Sequence, residues 1–157
     1  MRVGWGFDAH RFAAEGVVLV CGVVADDSRG VEATSDGDVA VHALIDALLG
    51  AAVLGDIGAL YPPDDIESQG ADSLDLLADT VRRVRDEGFS IVFVDVTVVA
   101  QTVRVAPIRD RARERLAGVL GIAKDRTSLK ATTTDAMGFT GRDEGLAAFA
   151  VAVLEED

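Results

Sequence analysis

Between Asp38 and Val53 the chain carries an Ala/Leu-rich segment that no proline interrupts. Ser35-Asp36-Gly37-Asp38 precedes it, with a short acceptor three positions ahead of a carboxylate, a capping-box-like helix start. The spacing predicts a helix from about Asp38 to Val53 that ends at Gly55. Its interior is almost wholly apolar, so it belongs inside the fold, and the rest of the chain has to be laid around it. Two polar residues stand out in it, His42 in the first turn and Asp46 one turn later. At i and i+4 they share a face.

The chain has only two histidines, and the other lies in Asp8-Ala9-His10. On an extended strand, residues two apart point to the same side, so Asp8 and His10 can face His42 together. One carboxylate and two imidazoles make a three-ligand set with a fourth tetrahedral position open, as in catalytic zinc sites. The residue types also fit an ordinary D-x-H and a satisfied core histidine, and spacing alone leaves both readings standing.

The length, 157 residues, suits one domain with a real core. A hydrophobic share of 49% with 27% charged residues is that of a soluble globular protein. The apolar stretch at 39–54 is too short and too polar for a membrane span, and the amino terminus lacks a basic-then-apolar signal. The single Cys21 excludes an internal disulfide and fits a reducing cytoplasm, where we expect the protein. A net charge of −12 argues against nucleic acid as a partner, since no basic surface is available to release counterions. Arg109, Arg111, Arg113 and Arg115 read as a solvated helix face with Asp110 and Glu114.

Taken in order, Arg2–Phe7 and Val17–Val24 read as strands, split by a loop at Arg11–Gly16. Ala25–Thr34 is a surface connection, and Asp56–Leu60 one turn before the Tyr61-Pro62-Pro63-Asp64-Asp65 loop. Asp72 caps a helix whose Leu74, Leu77, Val81 and Val84 make one buried face, and Gly88 stops it. Phe89–Ala100 is the clearest strand, β-branched enough to suggest burial on both faces. Pro107 suits the first turn of a third helix that Gly121 ends. A strand near Ser128–Thr132, the loop Thr133–Gly145 and a small-residue strand Leu146–Leu154 follow. The small residues of that last strand suggest close packing against another subunit. The order fits an α+β fold, a single-domain layer of helices on one face of a mixed β-sheet.

Lys130-Ala131-Thr132-Thr133-Thr134-Asp135 offers hydroxyls for phosphate oxygens and a hard oxygen ligand for Mg²⁺ or Mn²⁺; a Thr-rich strand ending at a turn explains it equally. Gly138-Phe139-Thr140-Gly141-Arg142-Asp143-Glu144-Gly145 is either a tight turn or an anion-binding corner. No Ser-His-Asp or Cys-His nucleophile set, P-loop or dinucleotide fingerprint appears.

Together, eight ordered motifs over nearly the whole chain resemble the 2-C-methyl-D-erythritol 2,4-cyclodiphosphate synthases of the non-mevalonate isoprenoid pathway. They are Gly6-Phe7-Asp8-Ala9-His10, Ser35-Asp36-Gly37-Asp38-Val39 with His42, Asp46-Ala47-Leu48-Leu49-Gly50-Ala51, Leu54-Gly55-Asp56-Ile57-Gly58, Gly70-Ala71-Asp72-Ser73, Asp95-Val96-Thr97 with Ala100-Gln101, Lys130-Ala131-Thr132-Thr133-Thr134, and Gly138-Phe139-Thr140-Gly141-Arg142. The resemblance implies a metal-dependent phosphorus–oxygen lyase, a homotrimer with sites between subunits. It implies Zn²⁺ on Asp8, His10 and His42, and Mg²⁺ or Mn²⁺ on Asp135 with the substrate diphosphate. A cytidine pocket is implied at Ala100-Gln101-Thr102-Val103-Arg104-Val105-Ala106 and Ala131-Thr132-Thr133, with Thr134 a further substrate contact. Asp56, Ile57 and Gly58 of a neighbour hold ribose and erythritol, and Tyr61, Pro62, Pro63, Asp64 and Asp65 close over the substrate. Thr34, Ser35, Phe139 and Arg142 join the substrate contacts, with Thr34 and Thr133 in the catalytic positions. An isoprenoid diphosphate is implied at the threefold axis, near Phe7, Arg142 and Glu144.

Departures from the family pattern accompany the match. Thr34 stands where a phosphate-contacting histidine is usual, Asp135 replaces Glu, Pro63 replaces Asp, Asp143 replaces Gly, and Trp5 occupies a variable position. These changes leave a second reading, a catalytically weakened metal-binding trimer that holds a nucleotide or isoprenoid phosphate. A zinc phosphohydrolase is a distant third.

Overall fold

The long strand β1 (Arg2–Ala13) and the central helix α1 (Val39–Ala52) lie backbone to backbone because Gly4 and Gly6 have no side chains. A methyl group at Gly4 would overlap the carbonyl oxygen of Ala47, and one at Gly6 that of Ala43. This contact sets the register of the whole site. Two strand residues advance about 6.7 Å, and four helix residues advance about 6 Å. Gly4 under Ala47 and Gly6 under Ala43 therefore bring Asp8, the next residue on that face, to the first turn of α1 and to His42.

The computed structural model describes residues 1–62 and 70–156, so the readings for Pro63, Asp64 and Asp65 lie outside the described residues. The remaining elements are β2 (Val18–Val20), β3 (Val23–Asp26), β4 (Gly30–Val31), α2 (Ile57–Leu60), α3 (Ser73–Asp86), β5 (Phe89–Val99), α4 (Arg109–Leu120), β6 (Thr127–Thr132), α5 (Gly138–Gly141) and β7 (Gly145–Glu156). The main sheet has the order β4-β1-β7-β5-β6. Only β5 and β6 pair in parallel, joined through α4, so the sheet is mixed. α1, α3 and α4 cover one face, as expected for the α+β class. No helix among the described residues is long and apolar enough to cross a membrane.

Cross-strand register sorts the sheet into rows. Gly6, Ala150, Val96 and Leu129 form one row toward the helices, and Asp8, Ala148, Val98 and Ala131 form the next. The small residues of β7 therefore accept α1 of the same chain, and the reading of them as a subunit contact is corrected. The opposite face carries Val3, Trp5, Phe7, Phe93 and Phe149, all substantially exposed. Within one chain β5 is thus buried on one face, through Val94, Val96 and Val98, whereas Phe93 is 37% exposed. Burial on both faces was the expectation, but a β-branched run does not specify whether its own chain supplies the second layer.

Other boundaries differ for local reasons. Residues Arg11 to Ala13 continue β1 instead of opening a loop, because Arg11 pairs with Gly145 of β7, and Phe12 and Ala13 with Val31 and Gly30 of β4. The expected strand Val17–Val24 is a hairpin that turns at Cys21-Gly22, both with positive φ. Asp38, rather than Ser35, caps α1. Its Oδ1 accepts from Val41 N at 3.2 Å and its Oδ2 from Gly22 N at 2.6 Å, so one carboxylate holds both the helix start and the hairpin turn. Burial pushes the Asp38 carboxyl up despite these backbone donors. Pro107 precedes α4, which begins at Arg109.

Candidate metal centre and nucleotide-binding loops

Asp8 and His10 project from β1 and His42 from α1, as the glycine-set register requires. His10 Nε2 lies 3.1 Å from His42 Nδ1. Asp8 Oδ2 lies 3.0 Å from His42 Nδ1 and 3.1 Å from His10 Nε2. A tetrahedral ion with bonds of 2.0–2.2 Å sets its ligand atoms about 3.3 Å apart. The three atoms already stand near that spacing, around a common point, and two of them are imidazole nitrogens with a carboxylate to balance charge. The donor set fits a divalent ion. Burial raises the Asp8 carboxyl, but hydrogen bonds from His10 and His42, with their charge, outweigh it and hold it well below the usual carboxylate range.

A cavity of about 220 Å³ opens beside His42, lined also by Thr34, Ser35, Ile57, Gly58, Tyr61 and Leu76. Asp46, the other polar residue of α1, builds this wall. Its Oδ1 accepts from Ile57 N at 2.8 Å, which docks α2 against α1. Asp56 caps α2 through Ala59 N at 2.8 Å. The Tyr61 hydroxyl donates to Asp79 Oδ2 at 2.7 Å and ties that edge to α3. Pro62 follows directly.

A second cavity, of about 180 Å³, lies at the ends of β5 and β6 and is lined by Ala100, Gln101, Val103, Arg104, Val105, Ala106, Arg109, Ala131, Thr132 and Thr133. Arg109, exposed as a solvated face requires, also reaches this cavity from the first position of α4. Thr102 turns away, donating to Asp143 Oδ1 at 2.9 Å. Asp143, in a left-handed conformation where glycine is usual, also takes a salt bridge from Arg29 at 2.7 Å. Arg29 stacks on Phe12 as well, its guanidinium 3.6 Å from the ring centre.

Thr133 Oγ1 donates to Asp135 Oδ1 at 3.2 Å, so the hydroxyl and the hard carboxylate sit together at the rim. Thr134 instead donates to Met137 O at 2.6 Å, within its own loop. Lys130 is engaged on the open sheet face with Asp95 at 2.6 Å. Phe139 borders a third cavity with Ala9, His10, Arg11, Glu144 and Gly145, and Arg142 pairs with Glu144 at 2.7 Å. The buried Cys21, whose thiol burial pushes up further, offers no nucleophile.

The sheet rows relate the first two cavities. Asp8 and Ala131 share a row with Ala148 and Val98 between them, three strand spacings or about 14 Å apart. The candidate metal donors and the second cavity's loops therefore lie at the same end of the sheet but not in one pocket of one chain.

An α+β layer with three donors at divalent-metal spacing and hydroxyl-rich loops at one sheet end has the makings of a metal-binding protein. The chain belongs to the YgbB family, whose model matches residues 1–155. It is 49% identical over 154 residues to the 2-C-methyl-D-erythritol 2,4-cyclodiphosphate synthase of Erwinia tasmaniensis, covering 98% of both chains. Among solved structures it is similar to the bifunctional IspDF of Campylobacter jejuni, with a TM-score of 0.96 at 39% identity over 99% of this chain and 42% of that one. The CDP complex of IspF from Plasmodium falciparum matches with a TM-score of 0.87 at 27% identity, covering 99% of this chain and 96% of that one.

Proposed function

We infer that the chain is a cyclodiphosphate synthase. It converts 4-diphosphocytidyl-2-C-methyl-D-erythritol 2-phosphate to 2-C-methyl-D-erythritol 2,4-cyclodiphosphate and CMP. The observation that carries this reading is the convergence of Asp8, His10 and His42 at metal-ligand spacing, in a chain about half identical to named synthases over nearly its full length. The 2-phosphate oxygen attacks the β-phosphorus, the ring closes, and CMP leaves with the bridging oxygen. The substrate carries its own nucleophile, so the reaction needs none from the protein. A Zn²⁺ on the triad, with Mg²⁺ or Mn²⁺ near Asp135, supplies Lewis acidity and charge neutralisation when bound. The chain's residues supply position: the 100–106 loop takes the cytidine, Ile57 and Gly58 the erythritol, and Ser35 and Thr133 the phosphates.

The reading also calls for a homotrimer. His42 and Ile57–Gly58 share a cavity in one chain, whereas the nucleotide loop lies about 14 Å along the sheet row. A neighbour's loop closes the site, and the exposed Trp5, Phe7, Phe93 and Phe149 supply an apolar face to bury between copies. Phe7, Arg142 and Glu144 then stand near the threefold axis, where an isoprenoid diphosphate fits the ring of arginines. Sedimentation at micromolar concentration checks this, and burial of Trp5, the chain's only tryptophan, gives a fluorescence readout. The deciding experiment is CMP release from the diphosphocytidyl substrate with Zn²⁺ and Mg²⁺. Tight CDP binding without turnover would favour the weakened trimer instead.

Thr34 borders the cavity beside His42, where a donor faces the phosphates. Loss of a preorganised donor costs about 10²–10³ in rate, and a neutral hydroxyl recovers only part of it. Thr34→His is therefore expected to raise kcat more than it changes KM, and Thr133→Ala to lower kcat. An unchanged or lower kcat in Thr34→His would show that another group has taken the role.

A further inference from the structure

His42 engages both ring nitrogens, and the partners of the second are outside the metal set. Its Nε2 lies 2.9 Å from Ser73 Oγ and 3.1 Å from Ser35 Oγ. Ser73 opens α3 and is fully buried. Its hydroxyl has one proton, and that proton is committed to Asp36 Oδ1, while its backbone N donates to Asp36 Oδ2 at 3.0 Å. Toward His42, Ser73 Oγ is thus left only as an acceptor.

We propose that Asp36 and Ser73 form a relay that fixes His42 as its Nε2–H tautomer and so presents the Nδ1 lone pair to the metal. This rests on the reading of Asp8, His10 and His42 as a divalent-metal site. A metal-bound histidine is commonly oriented by what its other nitrogen donates to. Here the acceptor is a serine that the half-buried Asp36 carboxylate polarises, and both are positioning residues. Ser35 is thereby relieved of holding the imidazole, and its proton is available to a substrate phosphate oxygen. Asp36 N also donates to Ala71 O at 3.1 Å, and Gly70 N to Thr34 O at 2.8 Å. The start of α3 and the 34–38 loop therefore move as one unit with the ligand they orient.

The test uses Zn²⁺ and Co²⁺ alone. Long-range ¹H–¹⁵N correlation of the zinc-loaded wild type reads the His42 tautomer directly, and competition with a chromophoric chelator reads affinity. The expected results are a proton on Nε2 in the wild type and a 10- to 100-fold loss of zinc affinity in Ser73→Ala. The visible spectrum of the Co²⁺ form should shift as well. Asp36→Asn, which keeps the shape but weakens the acceptor, should lose less affinity and serves if Ser73→Ala does not fold. A proton on Nδ1 in the zinc-loaded wild type overturns the relay, as does zinc affinity in the variants within twofold of wild type. Failure of the wild type itself to bind zinc would instead overturn the metal reading beneath it.

Discussion

Gly6→Ala is expected to destabilise the protein by more than about 3 kcal/mol, beyond the usual range for one added methyl group in a core. The new methyl would meet backbone, the Ala43 carbonyl and Ala47 N, not a flexible side-chain end. α1 can yield only by lifting off β1 along its length, which opens the contacts of Leu44, Leu48 and their neighbours. Against a total stability of about 5–15 kcal/mol for a domain, such a loss is severe. The same displacement separates His42 from Asp8 and His10, so metal affinity should fall together with stability. Gly50→Ala is the matched control. It lies in α1 with nothing within 4 Å of the added methyl, so it should gain about 0.5–1 kcal/mol. Urea unfolding of the two variants checks the pair; a Gly6→Ala protein within about 1 kcal/mol of wild type would mean the close approach is not needed.

Much of this arrangement was legible in residue order, and the exceptions have physical causes. α1 and α3 followed from composition and spacing, because one buried stripe and a capping carboxylate are local features. Spacing left the metal reading of Asp8, His10 and His42 open beside that of a satisfied core histidine; the family resemblance implied it, and the fold brings the three donors together. Which face of β5 is covered could not follow, since a run of β-branched residues is the same whether its own chain or another copy supplies the second layer. Arg11 to Ala13 read as the start of a loop until β7 and β4 are seen to hydrogen-bond them. That Gly4 and Gly6 fix the depth of α1 could not follow from order alone, since the close approach joins residues far apart in the chain. Asp46 shares a helix face with His42, but its carboxylate is spent on Ile57 N. Ser73 gave no signal of its contact with His42, which spans 31 residues and depends on α3 ending its approach at α1.

Asp8→Asn is expected to empty the metal site and lower kcat by at least about 10³-fold, since a divalent ion contributes several kcal/mol to the transition state and each 1.36 kcal/mol is tenfold. Asparagine preserves the shape of the side chain and removes its charge. Asp8 contributes the only negative charge among the three donors, and its carboxylate is held ionised despite burial because His10 and His42 face it. With a neutral amide there, two imidazoles alone must stabilise a dication. The pH dependence of folding separates this electrostatic role from packing. A carboxyl held below its ordinary value of 3.8 contributes stability that is fully present above that value and is lost as the pH falls through its native value. In metal-free protein the wild type should therefore lose stability on acidification through this group, and Asp8→Asn should lack that part of the acid limb. Metal analysis of undialysed protein, kcat, and urea midpoints from neutral to acid pH measure the three effects. Stoichiometric metal in Asp8→Asn, with kcat within tenfold of wild type, would show that the two histidines hold the ion without the carboxylate.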